Sequence, residues 1–122
     1  MENLLDETLE VMEKYGYKPP QVSWVGSSDG RYAISMKQFQ ENFDQVNYDA
    51  GFGGQRIAAD LVVKFRDGSW LERQEYDGAE WWCYRKTPNR SISPLPFQFI
   101  TDNDNATGWE DTIAAFNGAD VD

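Results

Sequence analysis

The side chains able to do acid–base or covalent chemistry are few in this sequence and unevenly placed. Glu72, Glu75, Asp77 and Glu80 fall close together and could furnish the two carboxylates of a glycosidase, one kept protonated in a dry setting. Arg73, Arg85 and Lys86 stand beside them, so exposed, cross-strand paired acids are the simpler expectation, and a small chain offers little wall for a sugar cleft. Cys83 lies between Trp82 and Tyr84, a setting in which cysteine serves as a small inert hydrophobe rather than a nucleophile. Histidine is absent, which removes the Ser/His/Asp and Cys/His arrangements and His-ligated zinc. No catalytic residue is assigned, and the chain reads as a non-enzyme.

Two segments invite a ligand and fail on spacing. Gly51-Phe-Gly-Gly54 is glycine-rich, but it follows a predicted helix and no Lys-Ser/Thr pair trails it, so it reads as a connector rather than a phosphate loop. Asp102-Asn-Asp-Asn-Ala-Thr-Gly108 opens like a calcium loop with oxygen ligands at alternate positions. Counted from Asp102, however, the sixth residue is Thr107 and the twelfth is Ile113, where an EF-hand needs glycine and glutamate. No metal and no cofactor is expected.

The elements that must position these residues follow from periodicity. Leu4, Leu5, Thr8, Val11, Met12 and Tyr15 recur at three- and four-residue steps and predict a helix over 2–15, ended by Gly16, Pro19 and Pro20. Residues 21–26 and 31–34, joined by Ser27-Ser-Asp-Gly30, predict a hairpin. Ser35 caps a second helix, its stripe Met36, Phe39, Phe43 and Val46 carrying it to about residue 46 or 47. Residues 47–55 connect, with Phe52 pinned to the core. Asp67-Gly68 and Asp77-Gly78 then separate β-rich runs over 59–66, 69–76 and 79–86, the signature of a three-stranded antiparallel meander. A proline-rich loop leads to a short strand over 97–100, and a closing helix begins at Thr107 or Gly108 and runs through Trp109, Ile113, Ala114 and Phe116. The fold class is α+β, a single domain built on an antiparallel sheet with N-terminal, middle and C-terminal helices.

Charge is the most distinctive feature. The 122 residues carry 21 acids and 11 bases, a net charge of −10. Residues 1–55 hold nine acids and four bases (−5), residues 56–90 six acids and seven bases (+1), and residues 91–122 six acids and no base (−6). The sheet is electrically balanced and the excess lies in its flanks. Glu2, Asp6, Glu10 and Glu13 gather on the far side of the first helix, and Asp102, Asp104, Glu110 and Asp111 crowd the tail. So acidic a chain has no electrostatic route to phosphate backbones or anionic lipid, so direct nucleic-acid and membrane binding are excluded as expectations. An acidic row can keep a protein soluble, or it can imitate phosphates and occupy a basic groove.

Aromatic residues supply a second kind of contact. Trp81 and Trp82 are adjacent, so in a strand they point to opposite faces; turn register decides which is inside. Trp81 or Trp82, with Tyr76 and Arg73, forms a candidate anchor, since Trp, Tyr and Arg dominate interface hot spots.

The run Glu75-Tyr-Asp-Gly-Ala-Glu-Trp-Trp82, preceded by Asp60-Leu-Val-Val and Gly68-Ser-Trp-Leu-Glu-Arg, resembles segments of small, mostly uncharacterised acidic proteins of phages and mobile elements. That resemblance covers about a third of the chain and implies an inhibitor of host defence, of the anti-CRISPR or anti-restriction kind. The expectation is a cytoplasmic protein whose partner is a host protein or ribonucleoprotein complex with a basic groove. The alternative is a structural or adaptor phage accessory protein that binds through sheet aromatics or self-associates, its acidity serving solubility. Oligomeric state is open at this level. One cysteine fits a reducing compartment, and the acidic N-terminal segment lacks the basic-then-apolar plan of a signal peptide.

Overall fold

A computed structural model describes residues 1–51, 54–101 and 112–118. The protein is a small mixed structure of antiparallel sheets and, among the described residues, three α-helices, divided into two compact units, Met1–Pro88 and Asn89–Asp122.

In the first unit, α1 spans Leu4–Lys14 and buries Leu4, Thr8 and Met12, one residue per turn along a single stripe. The helix starts two residues later than its periodicity suggests. Asn3 is the N-cap, its Oδ1 accepting from the Asp6 N–H at 2.9 Å, and Glu2–Asn3 forms a short strand, β1. The strand β2 (Val22–Ser27) turns back into β3 (Ala33–Ile34). Gly26 sits where the two meet: a Cβ there would lie 1.8 Å from the Tyr32 carbonyl oxygen, so only glycine fits.

The helix α2 (Met36–Asn42) opens on a capping box in which Ser35 and Gln38 each accept the other's backbone N–H. It ends well short of Val46. Beyond its cap at Phe43 the chain is drawn out to pair with the N-terminus: the Val46 carbonyl accepts from the Leu4 N–H, and β4 (Asn47–Tyr48) pairs with β1. Phe43 is consequently half exposed, stacked on Phe39 rather than buried in the helical stripe.

The strands β5 (Leu61–Phe65), β6 (Trp70–Tyr76) and β7 (Ala79–Arg85) join β2 and β3 in a five-stranded antiparallel sheet of order β3-β2-β5-β6-β7. Each link between β5, β6 and β7 is an Asp-Gly turn. Gly68 (φ 95°) completes a three-residue turn closed by Phe65 and Ser69, whereas Asp77 (φ 53°) and Gly78 (φ 88°) make a two-residue turn between Tyr76 and Ala79.

Register then sorts the side chains. Val25, Val63, Leu71, Arg73, Trp82 and Tyr84 share the face covered by α1 and α2, where the core forms with Leu4, Met12, Met36 and Phe39. Trp24, Lys64, Trp70, Glu72, Trp81, Cys83 and Arg85 share the opposite face, where the Lys64 ammonium lies 4.8 Å from the Trp70 ring centroid.

In the second unit, residues 97–100 do not form the expected strand. The Asn117 side chain takes the place of a strand partner: its Oδ1 accepts from the N–H groups of Gln98 and Phe99, and its Nδ2 donates to the Phe99 carbonyl. The closing helix α3 (Ile113–Phe116) begins at its extended cap, Thr112, whose Oγ1 accepts from the Ala115 N–H, rather than at Thr107 or Gly108. Phe52, Thr107, Gly108 and Trp109 lie outside the described residues.

Candidate functional site

The first helix presents two chemically different edges. Its outward edge carries Asp6, Glu10 and Glu13, with Glu2 just before it; all four are exposed, and none makes an ion pair among the described residues. Its inward edge carries Glu7 and Thr8, which tie it to the sheet.

That tie is a buried charge network centred on Arg73 of β6. The guanidinium lies 4.8 Å from the Trp82 ring centroid and 5.5 Å from that of Tyr48. Its Nη2 donates to Glu80 Oε1 at 2.8 Å and to the Tyr48 hydroxyl at 3.0 Å; its Nη1 donates to Glu7 Oε1 at 3.4 Å. Nε has no hydrogen-bond partner among the described residues. Glu80 also accepts from the N–H groups of Arg56 (2.6 Å) and Ile57 (3.2 Å), so the connector before β5 is held by the same carboxylate. The Tyr48 hydroxyl donates to Glu7. Alongside, Trp82 Nε1 donates to Thr8 Oγ1 at 2.9 Å, and that hydroxyl donates to the Leu4 carbonyl.

Protonation follows from these contacts. Burial lifts the Glu7 carboxyl above the ordinary glutamate value, and its bonds to Tyr48 and Arg73 only partly offset this. Burial acts the same way on Glu80, but the Arg56 N–H, the Arg73 guanidinium and the Ile57 N–H together outweigh it and hold that carboxyl below its usual value. Burial and the bond to Glu7 push the Tyr48 phenol up to about 12. A second polar cluster sits at the Asp67-Gly68 turn. The Tyr17 hydroxyl bonds to Asp67, Ser69 and Tyr84, and burial followed by the Asp67 bond raises its pKa; the Ser69 hydroxyl and then Tyr17 lower that of Asp67.

These arrangements tie the helix, the connector and the sheet together rather than present reactive groups. The side chains of Arg73 and Glu80 are fully buried, and Glu80 is engaged by three donors. An apolar cavity of about 560 Å³ opens elsewhere, lined by Val25, Ile34, Phe39, Phe43, Val46 and Leu61 among others, with Arg56 and Asp60 as its charged lining residues. Among the described residues no cluster of His, Cys, Asp or Glu is placed to hold a metal ion, and no helix is long and apolar enough to cross a membrane.

The candidate aromatic anchor is split between the two faces. Trp81 (40 % exposed) and Tyr76 (76 %) lie on the open face, whereas Trp82 (5 %) and Arg73 (6 %) are buried beneath α1. The expectation that Glu80 is an exposed, surface-paired acid is overturned by its place beneath the connector, where two backbone N–H groups and Arg73 stabilise its charge. Glu72 keeps that expected role, 3.8 Å from Arg85 with both side chains partly exposed. Asp102, Asp104, Glu110 and Asp111 lie outside the described residues. Sequence reasoning missed the Arg73–Glu80–Glu7 network. A signal for half of it was present: a two-residue Asp77-Gly78 turn sets Arg73 opposite Trp82 and diagonal to Glu80.

No protein-family model, curated protein or solved structure matches this chain.

Proposed function

We propose that this protein is a non-enzymatic inhibitor that uses the outward carboxylates of α1 to occupy a basic, nucleic-acid-binding surface of a host defence protein. The observation that carries this reading is the row Asp6, Glu10 and Glu13 of α1 with Glu2 just before it: four exposed carboxylates with no ion-pair partner among the described residues, the helix being fastened from its other side. On α1 an acid roughly every turn from Asp6 to Glu13, over about 10 Å, makes a linear anionic array, with Glu2 of β1 just before it. The fastening lowers the ordering cost of binding, because the array is already in place. Glu10 and Glu13 lie toward the helix C-terminus, where the macrodipole disfavours negative charge. Solubility does not require acids at that end; a basic partner compensates them there.

The test is binding to purified restriction and RNA-guided nuclease complexes, with their nucleic-acid substrate as competitor. Affinity is expected to fall steeply with rising salt, and Asp6→Lys with Glu10→Lys to weaken binding by tenfold or more, about 1.4 kcal/mol. Binding that persists in high salt and in the charge-reversed variant, but is lost in Trp81→Ala, would sink this reading. It would favour the adaptor reading instead, to which the exposure of Trp81 and Tyr76 on the open sheet face lends support.

A further inference from the structure

The outer edge of β7 has no strand partner among the described residues of the first unit, and we infer that it is filled by β7 of a second copy of this chain, antiparallel and centred on Cys83. The parity of the strand fixes which groups are free. Tyr76 and Ala79 close the two-residue turn, so Ala79, Trp81, Cys83 and Arg85 direct their backbone N–H and C=O toward β6. Glu80, Trp82 and Tyr84 therefore direct theirs outward. The Glu80 N–H confirms the direction, since it bonds not to β6 but to the Ala50 carbonyl at 3.0 Å. Beyond it, the Trp82 and Tyr84 backbone groups make no hydrogen bond outside the sheet among the described residues.

Natural edges are blunted by lysine, proline, a bulge or a covering element. The free stretch Trp81-Trp-Cys-Tyr-Arg85 has no lysine, proline or bulge, and its only charge is the terminal Arg85. Its side chains also anchor the strand in place. Trp82 is anchored to Thr8 at 2.9 Å, and the Tyr84 ring stacks on Tyr15 with centroids 4.4 Å apart.

The same five residues are self-complementary in one register. Centring on Cys83 sets Trp82 opposite the partner's Tyr84 and Tyr84 opposite the partner's Trp82, so all the free backbone groups pair without involving Glu80. On the open face it sets Trp81 opposite the partner's Arg85, and the reverse, a cation–π pair made twice. Cys83 then faces the partner's Cys83 at a non-hydrogen-bonded position, where Cα atoms stand about 4.5 Å apart, within the range a disulfide spans. The role of Cys83 is to report the register.

Sedimentation of the full chain under reducing conditions is expected to show a concentration-dependent dimer that strengthens with salt, because screening relieves repulsion between two copies of charge −10 each. That salt response is opposite to the one expected for the α1 carboxylates on a basic partner, so either proposal can fail without the other. Diamide, which takes up two electrons and two protons as it oxidises two thiols, should convert the dimer to a Cys83-linked species of twice the 14.0 kDa chain mass. In a Cys83→Ser background, Trp81→Cys and Arg85→Cys proteins should cross-link when mixed and not when separate. Arg85→Glu, whose side chain is about half exposed and so leaves the core intact, should weaken self-association about tenfold. A monomer at every concentration overturns the inference, as does a dimer in which Cys83 stays a free thiol. Protection of the Trp82 and Tyr84 amides only on addition of a different protein likewise overturns it, assigning the edge to a foreign strand.

Discussion

Arg73 shows how much one residue's neighbours decide. Its side chain is fully buried, which is costly for a guanidinium unless its charge is matched, and it is matched by Glu80, Glu7 and the Tyr48 hydroxyl. Arg73→Met leaves Glu80 charged and buried, so a loss of about 3–5 kcal/mol is expected in urea unfolding. Adding Glu80→Gln should recover part of it, because the amide oxygen still accepts from Arg56 and Ile57 while the unpaired charge is gone. The two carboxylates respond to pH with opposite sign. The folded pKa of Glu80 lies below the ordinary glutamate value of 4.5, so its contribution is complete above that value and is lost as pH falls through the folded pKa. Glu7 is raised, so its contribution is complete below 4.5 and is lost as pH rises through its higher folded pKa. The stability gap between the wild type and Glu80→Gln should therefore narrow below pH 4.5, and that between the wild type and Glu7→Gln should not. At the alkaline end, absorbance at the phenolate band should show Tyr17 and Tyr48 ionising late, with Tyr48→Phe removing one of these late steps.

At the scale of elements, the local devices are separable. Ser35→Ala removes an N-cap oxygen that accepts from Gln38 N–H at 3.1 Å and should cost about 1 kcal/mol, read from the denaturation midpoint. Gly26→Ala forces a Cβ into the Tyr32 carbonyl, an overlap with backbone that no rotamer relieves. The expected outcome is displacement of β3 and a loss of about 2 kcal/mol or more, with early exchange of the Ser27 amide that now bonds to Tyr32. These features were readable in advance to different degrees. The caps and Asp-Gly turns are set by residues within three or four positions of one another, so Ser35, Gln38 and Asp77-Gly78 announce themselves. The end of α2 was not readable: Phe43 and Val46 continue a helical stripe, and only the pairing of β4 with β1, residues more than forty positions away, draws the chain out of the helix.

For the whole molecule, the net charge of −10 makes the folded state self-repelling, so its melting temperature should rise with salt at fixed pH. Glu10→Gln with Glu13→Gln removes two members of the exposed α1 row, both in the C-terminal half of the helix. If the row is a binding surface, that variant should be more stable by a few tenths of a kcal/mol and bind its basic partner more weakly, a stability gain set against a loss of function. Calorimetry and the nuclease-binding assay read the two effects separately. Sequence alone determined the charge partition, the Ser35 cap, the Asp-Gly turns and the placement of Glu2, Asp6, Glu10 and Glu13 away from the buried stripe of α1. These follow from composition and from contacts a few residues apart along the chain. Only the tertiary structure decided that Trp82 and not Trp81 is inside, and that Arg73 and Glu80 are core rather than surface. Burial of a charge depends on which partner arrives from a distance, and Glu7 reaches Arg73 from 66 positions away.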